Sequence, residues 1–166
     1  GFFLCDIGLF QGCVLSTILF DCVFQLLLDF LDPLADIGYG YKLCRGVRRL
    51  SRAYADDISL ITHTSSNNQK ACDKTVSWLA WTITMAAKPR KCVSLGMKQF
   101  DKRIKNEAYV PVHKGSYSIF DPCLVIDGKQ MRFLGNPEFK DDFKKSHFKF
   151  LGRWIHSSLN EQVIKM

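Results

Sequence analysis

Two adjacent carboxylates, Asp56 and Asp57, interrupt the apolar alternation of residues 51–64, SRAYADDISLITHT. Ala53, Ala55, Ile58, Leu60 and Ile61 surround them. Like charges side by side in a half-buried strand repel, and buried carboxylates resist ionising. The conflict disappears at the tip of a hairpin, where both acids face water and a cation. Magnesium takes hard oxygen ligands and keeps several waters, so one or two carboxylates plus substrate phosphates can hold it. Two such ions about 4 Å apart activate an attacking hydroxyl and stabilise a leaving pyrophosphate. A solvent-facing turn is the plain alternative, because Asp is common in turns and so short a motif has many chance matches.

The elements around the pair follow from pattern. Phe2–Phe10 reads as a short apolar strand and GLFQGCVLS as a turn, with Ser16 as the N-cap of a helix over Thr17 to about Ala35. That helix is apolar on most sides through Ile18, Leu19, Val23, Leu26, Leu27, Phe30 and Leu34. Its acids Asp21, Asp29 and Asp32 argue for a buried core helix rather than a membrane span. Leu50–Thr62 is expected to be a hairpin with the acids at its tip. Polar Ser65–Gln69 then caps a second helix, whose Cys72, Val76, Leu79 and Ile83 share one face. Cys92–Met97 reads as a strand, residues 98–118 as a long basic loop, and Asp127-Gly128 as a hairpin turn. FKFLGRWI, residues 148–155, reads as a further strand. Strands interspersed with two packing helices indicate an α+β chain.

Composition narrows the class. At 166 residues, 47 % hydrophobic and 13 % aromatic, the chain is globular and long enough for a core. Seven scattered cysteines, without a C-x-x-C pair, point to reduced thiols in an intracellular protein and to no zinc site. The formal charge of +7 is uneven. Residues 1–41 hold five Asp and no Lys or Arg, whereas Lys42, Arg45, Arg48, Arg49 and Arg52 crowd the next eleven positions. A second basic region runs from Lys88 to Lys105. Basic stretches beside an acid pair suit a polyanionic partner with a cation between them. A solvated basic face would have the same composition.

The order of four motifs adds a resemblance. Tyr54-Ala55-Asp56-Asp57 resembles the active-site box of reverse transcriptases. Upstream, Gly8-Leu9-Phe10-Gln11-Gly12-Cys13-Val14-Leu15-Ser16, followed by Leu19-Phe20, resembles the family's G-x-x-Q-G-x-x-L-S-P-x-L-F box. Downstream, Lys88-Pro89-Arg90-Lys91-Cys92 resembles the N-x-x-K-C box, and Phe148-Lys149-Phe150-Leu151-Gly152 the F-x-Y-L-G primer grip. Pro122–Gly128 is similar to the P-x-L-x-I-x-G hairpin of non-LTR, LINE-like retrotransposon enzymes. Thr17 stands where the family usually has Pro, and Ala87-Lys88 where it usually has Asn.

The resemblance implies a polymerase palm: an antiparallel sheet backed by two helices, with a C-terminal hairpin and primer-grip region. It divides the chain into residues 1–97 (partial palm), 98–121 (basic loop) and 122–166 (primer grip and start of the thumb connection). It implies that Asp56 and Asp57 are metal ligands for magnesium, two ions in the complete enzyme. Tyr54, Gln11 and Gly12 would meet nucleotide and template, and Lys91 would steady pyrophosphate. Phe150, Leu151 and Gly152 would hold the primer, while Arg45, Arg48, Arg49 and Lys88 would bind nucleic-acid backbone. The implied partners are an RNA template, a DNA primer and deoxynucleoside triphosphates, with no membrane. The family's third metal-binding Asp belongs to a strand several tens of residues before Gln11, and only ten residues precede Gln11 here. The first palm strand and the fingers are therefore expected to be missing, with the chain a fragment of an RNA-directed DNA polymerase. The alternative is a non-catalytic nucleic-acid-binding remnant of a decayed mobile element.

Overall fold

A computed structural model of the chain describes residues 13–42, 47–82, 85–99, 117–136, 138, 147–150, 153–156 and 161–162. The chain divides into two compact units, Gly1–Lys88 and Pro89–Met166. Among the described residues, the mixture of two helices and several small sheets is α+β, as the pattern of apolar residues indicates.

In the first unit, helix α1 spans Val14–Asp36. It begins three residues before the expected start. The Ser16 amide donates to the Cys13 carbonyl at 3.2 Å, so Ser16 lies inside the first turn and Cys13 is the cap residue, without a side-chain cap. Phe24, Leu27, Leu31 and Ala35, spaced three and four apart, form one buried stripe. It packs on helix α2 (Ser65–Trp81) and on strands β2 (Arg48–Arg49) and β3 (Ser51–Tyr54). Fully burying Leu27 and Leu31 contributes about 1.5–3 kcal/mol each.

The expected buried core helix is buried along one stripe only. Leu15, Leu19, Val23, Leu26 and Phe30 remain 37–59 % exposed, forming a second apolar stripe. Asp21, Asp29, Asp32 and Asp36 lie exposed between the two stripes. By length and composition α1 could cross a membrane, so its acids do not decide the matter. The packed stripe against α2 and β3 is what ties α1 to the core.

Helix α2 is capped by Thr64, just before the polar run Ser65–Gln69 expected to cap it. The Thr64 hydroxyl accepts from the Asn67 amide at 3.1 Å, satisfying one orphan donor of the first turn. Its buried face is Ala71, Cys72, Thr75, Trp78 and Leu79; Val76 is half-buried, and Ile83 lies outside the described residues. Strand β1 (Tyr41–Lys42) pairs antiparallel with β2. Gly40 is required at the junction, since a Cβ there would come within 2.9 Å of the Arg49 backbone. Strand β4 (Asp57–Leu60) pairs antiparallel with β3 and rests on α2. Leu50, 1 % exposed, joins Leu27, Leu31, Ala71, Trp78 and Leu79 in one core cluster.

The second unit is assembled from short strands. β5 (Val93–Ser94) and β6 (Gly96–Gln99) occupy the expected single strand but choose different partners. β5 pairs in parallel with β10 (Arg132–Phe133), and β6 antiparallel with β7 (Tyr117–Phe120). Residues 98, 99, 117 and 118 are thus strand rather than loop. β8 (Val125–Ile126) and β9 (Lys129–Gln130) form the expected hairpin, with Asp127 at φ +50° and Gly128 at φ +72° in its two-residue turn. The expected strand FKFLGRWI is two strands: β11 (His147–Phe150) pairs antiparallel with β12 (Arg153–His156), which also pairs with β13 (Glu161–Gln162).

Among the described residues the cysteines 13, 22 and 123 are free thiols.

Candidate cation and nucleic-acid site

The hairpin that holds the acid pair turns in two residues. Register runs Ser51↔Leu60, Arg52↔Ser59, Ala53↔Ile58 and Tyr54↔Asp57, leaving Ala55 and Asp56 as the connection. Paired residues of an antiparallel ladder point to the same side. Ser51, Ala53, Ile58 and Leu60 therefore share one side, and all four are partly covered, with Ile58 and Leu60 packed against the core. Arg52, Tyr54, Asp57 and Ser59 share the other. Tyr54 is 66 % exposed, and Arg52, Asp56 and Asp57 are exposed too.

The tip is strained. Two-residue hairpin turns of either primed type need a positive φ at their first central residue, a role suited to Gly, Asn or Asp. Here Ala55 takes it, at φ +49°. An L-residue with a Cβ pays about 1–2 kcal/mol in this region. Ala55→Gly should relieve that cost, less the extra freedom it gives the unfolded chain, for a net gain of about 0.5–1 kcal/mol. A higher midpoint of thermal or urea unfolding for Ala55→Gly would show it; a lower one would mean that the turn does not need a left-handed residue.

Neither the Asp56 nor the Asp57 carboxylate has a hydrogen-bond or ion-pair partner among the described residues. Both are hard oxygen donors open to water, and two such donors fit one largely hydrated divalent ion. No group of three or more His, Cys, Asp or Glu gathers among the described residues, so they hold no third protein ligand for a two-ion centre.

The remaining expected site residues fall in different places. Gln11, Gly12, Arg45, Leu151 and Gly152 lie outside the described residues. Arg48 is half-buried, and its guanidinium reaches the Gly40 carbonyl at 3.5 Å, so part of its role is to tie down the start of β1. Arg49 and Lys88 are exposed. Lys91 is exposed at the end of a short 3-10 turn, Pro89–Lys91, in the second unit. Phe150 ends β11 in the same unit. The hairpin therefore gathers Tyr54, Asp56 and Asp57 by itself.

Arg52 is the residue that motif reading passed over. Counting by twos back from Tyr54 would have placed it on the side of Tyr54 and Asp57. The guanidinium has no partner among the described residues. A second group left unmarked by pattern is Tyr41 with His63, whose rings lie 5.0 Å apart at 35°. They are 22 residues apart in sequence and meet because Gly40 bridges to Thr62.

The chain was compared with protein-family models, with curated proteins and with solved structures, and none matches.

Proposed function

We propose that this chain is the palm segment of a retrotransposon-type reverse transcriptase, a polymerase that adds deoxynucleotides to a primer 3′-hydroxyl under direction of an RNA template. One observation carries the reading: an acid pair with no partner among the described residues, at the tip of a tight antiparallel hairpin whose inner side rests on two helices. The ordered resemblance of the four boxes supports it.

In this reading Asp56 and Asp57 hold magnesium. When bound, the ion neutralises phosphate oxygens and favours ionisation of the attacking hydroxyl. The chain's own residues position the reactants. Tyr54, paired across the ladder with Asp57, offers a ring against sugar or base at the primer end. The short connection fixes both carboxylates relative to that ring, and catalysis comes from positioning and preorganised charge. Exposed Arg49 and Lys88 neutralise strand phosphates. Lys91 and the Phe150 region serve pyrophosphate and primer, as the resemblance implies.

The second reading, a non-catalytic nucleic-acid-binding remnant, draws on the lack of a third acidic ligand among the described residues. Primer extension separates the two. The parent polypeptide, with its upstream palm strand and fingers, should incorporate deoxynucleotides on an RNA template with magnesium and lose that activity on Asp56→Asn. A parent that binds template-primer but never extends it is the remnant.

A further inference from the structure

In the first unit, exposed cations and rings lie on the hairpin and on the β1–β2 pair that adjoins it through the Gly40–Thr62 bridge. At the tip is Tyr54, and Arg52 follows two residues down on the same side. At the far end Arg49 is paired in register with Tyr41, and the Tyr41 ring lies against His63. Tyr41 is 46 % exposed, and Arg49, Arg52 and His63 are exposed as well. Neither the Arg49 nor the Arg52 guanidinium has a partner among the described residues. From Asp57 to His63 the backbone is paired through Leu60, then by the Ile61 amide to the Leu50 carbonyl at 2.7 Å, then by the Thr62–Gly40 bridge. At about 3.3 Å per extended residue, that run is about 20 Å long.

Exposed rings beside unpaired guanidinium groups are what a single polynucleotide strand needs. Every base has a face to stack, and every linkage has a phosphate to neutralise. Arg52 and Asp57 are diagonal neighbours across the ladder, yet they form no ion pair. The guanidinium is left available for an external anion. An acidic peptide would satisfy the two arginines but gives Tyr41 and His63 nothing to stack.

We propose that this side of the hairpin is a single-strand track. Tyr41 and His63 stack a base, Arg49 and Arg52 hold successive phosphates, and the strand runs toward Tyr54 and the carboxylates. The track rests on the reading of the hairpin as a polynucleotide site, but it does not require catalysis.

The test is fluorescence anisotropy with the full chain and a labelled single-stranded oligonucleotide of about 12 nucleotides, within the usual span of such sites. Tyr41→Ala should weaken binding by about 5- to 150-fold, the range expected for losing one stacked base, whereas Tyr41→Phe should retain it. Arg52→Gln should reduce the slope of log affinity against log salt by about 0.7, one phosphate contact on a single strand. Both positions are exposed, so circular dichroism and thermal melts of the variants should match the wild type. The track is overturned if Tyr41→Ala binds as the wild type does, if the Arg52→Gln slope is unchanged, or if polyglutamate competes as well as the oligonucleotide. Failure is separable from failure of the polymerase reading. Extension by the parent with indifferent track variants sinks only the track, whereas track effects without extension leave a strand-binding module.

Discussion

The 166-residue chain alone is expected to extend no primer on an RNA template, with or without magnesium. Its hairpin supplies two carboxylates, and a two-ion centre needs more oxygen ligands than that. In the polymerase proposed above, a third acid and nucleotide-binding fingers complete the centre. Losing the clamp that orients the nucleotide can by itself remove many powers of ten in rate, since effective molarities in well-oriented sites reach about 10⁵–10⁸ M. With the parent polypeptide in the same assay, incorporation should appear, and Asp56→Ala should lower it by about a hundred- to a thousandfold, the scale of removing one preorganised charge-stabilising group. Magnesium-dependent extension by the isolated chain, lost on Asp56→Ala, would show that two hairpin carboxylates suffice and that the boxes have been misplaced.

Leu50→Ala should be the most damaging single change to the first unit. Leu50 is 1 % exposed between β2 and β3, in one cluster with Leu27, Leu31, Ala35, Ala71, Trp78 and Leu79. Its carbonyl also accepts the Ile61 amide at 2.7 Å, so the same residue anchors the base of the acid-bearing hairpin. Removing three buried carbons costs about 2–5 kcal/mol where the cavity cannot collapse. Domains of this size have only about 5–15 kcal/mol in total. The expected result is a large fall in urea midpoint together with loss of nucleic-acid binding. A change below about 1 kcal/mol would mean that the hairpin does not depend on this cluster.

Local chemistry made some elements legible. The period-two run on either side of Asp56-Asp57 predicts the hairpin and the placement of the acids, because a single buried side enforces register. Asp127-Gly128 predicts its turn, because both residues tolerate positive φ. Thr64, one residue ahead of the polar Ser65–Gln69 run, caps α2 with its hydroxyl. Other features depend on partners far away in sequence. Apolar residues surround most of α1, so composition cannot tell which stripe is buried; contacts with α2, β2 and β3 select Phe24, Leu27, Leu31 and Ala35. The strand expected over Cys92–Met97 splits because Arg132–Phe133 and Tyr117–Phe120 claim different halves of it. Strand propensity does not choose a partner.

The candidate site divides in the same way. Tyr54, Asp56 and Asp57 fall within four consecutive residues, so one hairpin tip carries all three. Arg52 needed the alternation to be followed past the motif. Tyr41 and His63 needed the Gly40–Thr62 bridge, which no local pattern announces. Arg48 and Arg49 are neighbours in sequence with different fates: one guanidinium reaches the Gly40 carbonyl, and the other has no partner among the described residues.

Manganese can stand in for magnesium and broadens nuclear resonances near wherever it binds. Titrated into the isotope-labelled chain, it should first broaden the amide signals of residues 54–58, and Asp56→Asn with Asp57→Asn should remove that broadening while the rest of the spectrum stays put. Early broadening at Asp21, Asp29, Asp32 and Asp36 of α1 instead, or tip broadening that survives the double substitution, would contradict a cation site at the hairpin tip.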